Sequence, residues 1–180
     1  MKRIFRYLKG TRLLGLTFSG GPAKLTLKGY VDASWGEDLD TRCSQSAYVF
    51  MLGNAAISWK SKLQRLVALS STEAEYISLC TASCEALYLR KLLGDICPDA
   101  SGPVTLYEDN QSTIKQASSL LSSDRSKHMD IKYRFIKQHV ANGDICLEYI
   151  PTADQPADAL TKSLDRIKVS SFRQFTLACS

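Results

Sequence analysis

Between residues 25 and 69 the apolar positions alternate or fall in short blocks; beyond residue 72 they switch to a spacing of three and four. The first pattern is that of strands and the second that of amphipathic helices. In KLTLKGYVDAS, residues 24–34, Leu25, Leu27 and the pair Tyr30 and Val31 mark a first strand. SAYVFML and AAISWKS are two more, joined by Gly53-Asn54, a two-residue connection of the Gly-X hairpin type. RLVAL, residues 65–69, reads as a further short strand.

From Thr72 to Leu93, Ile77, Cys80, Cys84, Leu87, Tyr88 and Leu92 line one side of a long helix. Its start carries a capping box, either Ser70 with Glu73 or Thr72 with Glu75, and Gly94 and Pro98 punctuate its end. VTLYE is the next strand. A short helix at 111–118, a longer one at 127–141 and the strand ICLEYI follow. After Pro151 a final helix is predicted, with Asp154 at its cap and Pro156 just inside. A hairpin first and strand–helix units afterwards predict an α/β fold: a mixed sheet flanked by helices. Residues 1–15 form a basic amphipathic stretch apart from this pattern.

Composition narrows the class. With 180 residues, 44% of them hydrophobic and 23% charged, the chain can bury one good core and is not disordered. A net charge of +5 is compatible with a phosphate-bearing partner. Six cysteines without a C-x-x-C pair, and only two histidines, argue against zinc. No signal peptide and no apolar run of ~18 residues is present, so the chain is expected to avoid membranes. An intracellular protein with free thiols, cytoplasmic or nuclear and not secreted, is the expectation.

The chemistry lies in acids on separate elements. Asp32 ends the first strand, Glu75 lies in the first turn of the long helix, Asp109 ends VTLYE, and Asp158 opens the last helix. Each has an ordinary role as turn former, cap or first-turn acid. If the first strand and VTLYE are parallel neighbours, however, Asp32 and Asp109 meet at one sheet end, where open α/β sheets place ligands. Carboxylates crowded there need a counter-charge. Hard divalent cations suit them, and two such ions would serve phosphodiester cleavage.

The ordered motifs SSTEAEY, DNQS and PADALTK resemble the ribonuclease H domain of copia-type retrotransposon Pol polyproteins. GYVDASW, SKHMDIKYRFIKQHV and the closing FRQFTL continue the resemblance, and RYLKGTRLLGLTFS is similar to the segment that joins the reverse transcriptase to that domain. The resemblance implies the ribonuclease H-like fold, a five-stranded mixed sheet with three antiparallel strands first and parallel strands after. It divides the chain into 1–22, the tail of the reverse transcriptase or connection segment, 23–165, the ribonuclease H domain, and 166–180, a C-terminal tail.

The resemblance also implies metal-dependent hydrolysis of the RNA strand of an RNA/DNA hybrid, with two Mg²⁺ ions or Mn²⁺ in their place. Asp32, Glu75, Asp109 and Asp158 become the catalytic and metal-binding acids. Glu75 is preferred to Glu73, which is left as a capping acid. Ser34, Ser71, Thr72 and Gln111 match positions that contact the hybrid's 2′-hydroxyls. Lys60, Lys62 and Arg65, with Arg125, Lys127 and Lys132, are candidates for phosphate contact. Trp35 and Trp59 are expected to pack rather than stack on bases. The loop PTADQPA lacks the histidine many ribonucleases H carry, and His128 is the only nearby auxiliary candidate; His139 is expected to be structural.

No Asp-Asp pair occurs, so the polymerase motif Tyr-x-Asp-Asp is missing and the upstream reverse transcriptase domain is an implied partner. The alternative to an enzyme is a non-catalytic retroelement remnant that folds and binds nucleic acid.

Overall fold

A computed structural model of the chain describes residues 2–18, 25–100, 102–119 and 127–177. Five strands form one sheet: β1 (Leu27–Ser34), β2 (Gln45–Leu52), β3 (Ala55–Leu63), β4 (Val104–Glu108) and β5 (Ile145–Tyr149). Their order across the sheet is β3-β2-β1-β4-β5. β1, β2 and β3 are antiparallel; β4 pairs parallel with β1, and β5 parallel with β4. The helices are α1 (Lys2–Thr11), α2 (Ser71–Ile96), α3 (Gln111–Ser118), α4 (Lys127–Ala141), α5 (Asp158–Thr161) and α6 (Arg166–Leu177).

β1 is the middle strand and is covered on both faces, which is why Val31, Asp32, Ala33 and Ser34 are all buried. Gly29 lets its neighbours close in: a Cβ there would come within 2.6 Å of both Phe50 and Leu106. The β2–β3 turn has Gly53 at φ +63° and no left-handed residue at Asn54, the pattern of a type II′ hairpin. On one face Tyr76, Leu79, Ala82 and Ala86 of α2, with Tyr133 and Ile136 of α4, pack over Val31, Phe50 and Leu106. On the other, Leu160 and Phe175 cover Val49, Met51 and Ala56, and the Phe175 ring meets Tyr30 edge-on at 5.1 Å.

Two expectations need correction. RLVAL is not a strand: β3 already ends at Leu63 on the sheet's edge, and the chain then turns under α2. Gln64 anchors that turn by donating to the Ser46 hydroxyl (2.8 Å) and the Ala74 carbonyl (2.9 Å), leaving Leu66, Val67 and Leu69 exposed. The last helix does not start at Asp154. Thr152–Asp154 is a 3-10 turn, the buried Gln155 reaches in to the Val31 carbonyl (2.8 Å), and α5 begins at Asp158. Past α5, α6 packs on the sheet through Phe175.

The α2 start uses Ser70, whose hydroxyl accepts from Glu73 N–H (3.1 Å); the Glu73 carboxylate accepts from Leu69 N–H (2.7 Å) rather than closing the box on Ser70. α1 is amphipathic and buries none of its residues. Among the described residues no helix is long and apolar enough to cross a membrane.

Candidate active site

Parallel pairing of β1 with β4 runs Lys28 to Thr105, Gly29 to Leu106 and Tyr30 to Tyr107. Continued for two residues, this register puts Asp32 level with Asp109 at the carboxyl end of the sheet. α2 starts over the same end and is fixed to β1 there by Ser78, whose hydroxyl donates to the Asp32 carbonyl (2.9 Å). Its first turn thereby brings Glu75 in. One carboxylate oxygen from each of Asp32, Glu75 and Asp109 lies within 4.8 Å of the others, the one such acid cluster among the described residues.

Asp158 lies beside this cluster rather than in it. Its Oδ1 is 2.5 Å from the Lys162 ammonium and its Oδ2 is 4.0 Å from that of Lys168. Thr161, one turn on from Asp158 along α5, donates its hydroxyl to Asp32 Oδ2, locking that carboxylate in place. Glu73 is the capping acid described above, and Glu75 is the acid that turns inward.

Burial and mutual repulsion dominate the electrostatics of the acids. Burial pushes Asp32 up to about 6, with Asp109 and Asp158 adding repulsion and Thr161 and Lys162 partly offsetting it. Glu75 is pushed up to about 11, by burial first and then by Glu108, Asp32 and Asp109. Glu108, fully buried behind Asp109, is also pushed far up by burial. Glu75 Oε2 and Glu108 Oε2 are buried with no hydrogen-bond partner among the described residues. Buried oxygens normally have one. An oxygen-only donor set of clustered carboxylates, with partnerless lone pairs, fits a hard divalent cation such as Mg²⁺ or Mn²⁺.

The candidate substrate contacts lie around the acids. Ser34 is buried, and its hydroxyl accepts from Gln45 N–H (3.3 Å). It lines an open cleft of about 360 Å³ with Glu37, Gln45, Ser61 and Lys162. Ser71, Thr72 and Gln111 sit where α2 and α3 begin side by side, tied by the Thr113 hydroxyl donating to the Thr72 carbonyl (3.4 Å). Lys60, Lys62 and Arg65 border a shallow groove next to Tyr48 and Gln64.

The tryptophans are not packed away. Trp35 is 55% exposed, with its ring N–H donating to the Ala68 carbonyl (3.0 Å), and Trp59 is 58% exposed. His128 lies in α4, but its side chain is outside the described residues, as are Arg125 and the side chain of Lys127. Lys132 faces α2, near Cys80. His139 Nδ1 lies 2.8 Å from Asp144 Oδ2, a structural pairing at the far end of the sheet.

Sequence reasoning missed Thr161, Lys162, Glu108 and Gln155. Thr161 and Lys162 stood inside PADALTK, and four-residue spacing from Asp158 to Lys162 was the available signal. Glu108 was passed over as a strand end.

The fold defined by this sheet and its helices is that of ribonuclease H domains. Solved structures share it at low identity. The N-terminal RNase H domain of a Mycobacterium tuberculosis protein matches with a TM-score of 0.56 and 14% identity, over 83% of this chain and 97% of that one. The foamy viral protease-reverse transcriptase in complex with an RNA/DNA hybrid matches with a TM-score of 0.55 and 16% identity, over 81% of this chain and 21% of that one.

Sequence relatives are more specific. The Retrovirus-related Pol polyprotein from transposon TNT 1-94 of Nicotiana tabacum is 39% identical over 93% of the chain. That from transposon RE2 of Arabidopsis thaliana is 37% identical over 96% of it. The chain is a homologue of one segment of these copia-type retrotransposon Pol polyproteins, and spans 12% of their length. No family model matches the chain.

Proposed function

We propose that the chain is a metal-dependent ribonuclease H that hydrolyses the RNA strand of an RNA/DNA hybrid during retrotransposon reverse transcription. The observation that carries this reading is the convergence of Asp32, Glu75 and Asp109 at the carboxyl end of β1 and β4, where burial and mutual repulsion disfavour the ionised forms of Asp32 and Glu75. Those three acids would hold one Mg²⁺ or Mn²⁺, and Asp158 with Asp32 a second. When bound, such ions supply an activated water and a counter-charge for the leaving oxygen.

The remaining work falls to the chain's own groups. Thr161 fixes the Asp32 carboxylate. Ser34, Ser71, Thr72 and Gln111 border the acids as polar groups suited to ribose hydroxyls, the feature that separates RNA from DNA. Lys60, Lys62 and Arg65 offer cations for phosphates, and Trp35 and Trp59 present open ring faces beside the exposed end of β3 and the Ala68 turn. The partner that presents the hybrid is the upstream reverse transcriptase domain of the same polyprotein.

The test is incubation of the purified chain with a strand-labelled hybrid in Mg²⁺, beside Asp109→Asn. Cutting of the RNA strand alone, lost in the variant, is the expected result. A folded chain that binds the hybrid and leaves it whole in both Mg²⁺ and Mn²⁺ would replace the enzyme with a non-catalytic nucleic-acid-binding remnant.

A further inference from the structure

Lys162 stands four residues after Asp158, just past the end of α5, and its backbone N–H donates back to the Asp158 carbonyl (3.1 Å). That bond and the side-chain contact, Nζ to Asp158 Oδ1 at 2.5 Å, hold the ammonium against the acid. Its field reaches further: the same charge favours the ionised forms of Asp32 and Glu75, and Asp32, Asp158 and Asp109 in turn favour the ammonium. Burial works against that ammonium, and the Asp158 hydrogen bond with the surrounding acids outweighs it.

The acids are thus served unequally. Asp158 has an ammonium on one oxygen and Lys168 within 4.0 Å of the other. Among the described residues, Asp32, Glu75 and Asp109 meet at 4.8 Å or less with no cation in hydrogen-bond contact, and Glu75 keeps a buried oxygen without a partner. A divalent ion shared by Asp32 and Asp158 would have to sit against a held positive charge. The Lys162 side chain is 36% exposed and lines the open cleft beside Ser34, so its flexible stem has room to swing toward solvent.

We propose that Lys162 is a resident cation of the Asp158 flank: it neutralises Asp158 and holds off a second divalent ion while nucleic acid is absent. The free protein then takes one ion, on Asp32, Glu75 and Asp109, and a second can enter only as Lys162 moves aside. This rests on the reading of the three-acid cluster as a metal site.

The experiment is a calorimetric titration of Mn²⁺ into the whole chain without nucleic acid, for the wild type, Lys162→Met, Lys162→Gln, Lys162→Arg and Asp109→Asn. The wild type is expected to bind one ion and Asp109→Asn to lose it. In Lys162→Met, or in Lys162→Gln should the first fold poorly, a second ion is expected, its affinity raised on the order of tenfold. Lys162→Arg, which keeps the charge, should resemble the wild type. Neutral variants with the wild type's number and affinity, or an Arg variant that behaves like the neutral ones, would overturn the role of Lys162 and leave the metal site standing. A wild type that binds no Mn²⁺, matching Asp109→Asn, would remove the metal site itself and this inference with it.

Discussion

Asp144 and Asp32 are acids on the same small domain with opposite surroundings. Asp144, at the start of β5, accepts from Arg90 Nη1 at 2.7 Å and pairs with His139 Nδ1 at 2.8 Å, and these partners hold its carboxyl below the usual range. Asp32, at the other end of the sheet, is buried among acids, and its carboxyl is pushed up to about 6. Where an acid serves to join α2, α4 and β5, the fold supplies its partners, Arg90 and His139. Where acids converge at the ends of β1 and β4, Lys162 touches Asp158 and reaches Asp32 and Glu75 only through its field, and among the described residues no ion pair is made to Asp32, Glu75 or Asp109. The Asp144 charge is compensated within the chain; on the function proposed above, the cluster takes its counter-charge from a bound divalent ion.

The largest effect that sharpens this contrast is on chemistry. Asp109→Asn is expected to lower hybrid cleavage by at least about a hundredfold, read as RNA-strand product, whereas Asp144→Asn should leave it within about twofold. Stability should move in the reverse sense. With no metal present, Glu75→Gln is expected to stabilise the fold by about 2 kcal/mol at neutral pH, because it removes a buried acid that must keep its proton. Asp144→Asn should destabilise by about 1 kcal/mol, the scale of a partly exposed ion pair. Denaturant unfolding of both variants checks the pair; a Glu75→Gln chain less stable than the wild type would break the comparison.

The pH dependence follows from Asp32. In the unfolded chain this acid loses its proton near 3.8, and in the fold only near 6. The folded state therefore binds more protons across that window, so this contribution to stability falls as pH rises through it, by at most about 3 kcal/mol. Unfolding measured against pH in the wild type and in Asp32→Asn should diverge between pH 4 and 6, the wild type losing stability relative to the variant. Saturating Mg²⁺ should close the gap. The smallest expected effect concerns the substrate: neutralising Lys60 or Lys62 should weaken hybrid binding uniformly across sequences. It should also lower the salt slope by about one for each phosphate that the chain no longer neutralises.

Much of the fold was legible from the chain alone, and the reasons differ by element. VTLYE, the helix at 111–118 and the helix at 127–141 match β4, α3 and α4 because turn residues and a change of period bracket each of them. RLVAL misled because an apolar run with strand-forming residues says nothing about whether a neighbouring strand is there to pair with, and β3 closes that edge. α6 went unread because its core packing, Phe175 on Tyr30, depends on a partner far away in sequence. At the site, the positions of Asp32, Glu75 and Asp109 followed from strand ends and a first helical turn. The ion pair of Asp158 with Lys162 did not, since spacing shows that two groups can meet but not which of several acids a lysine will choose.

The most direct test of the contrast is thermal unfolding of the wild type and Asp109→Asn as Mg²⁺ is raised. Binding to the folded state at a hundred times the dissociation constant adds about 2.7 kcal/mol of stability. The account predicts a rising Tm in the wild type and a flat one in Asp109→Asn. Equal shifts in both chains, or none in either, would contradict it, because the clustered acids would then not be the place where the ion binds.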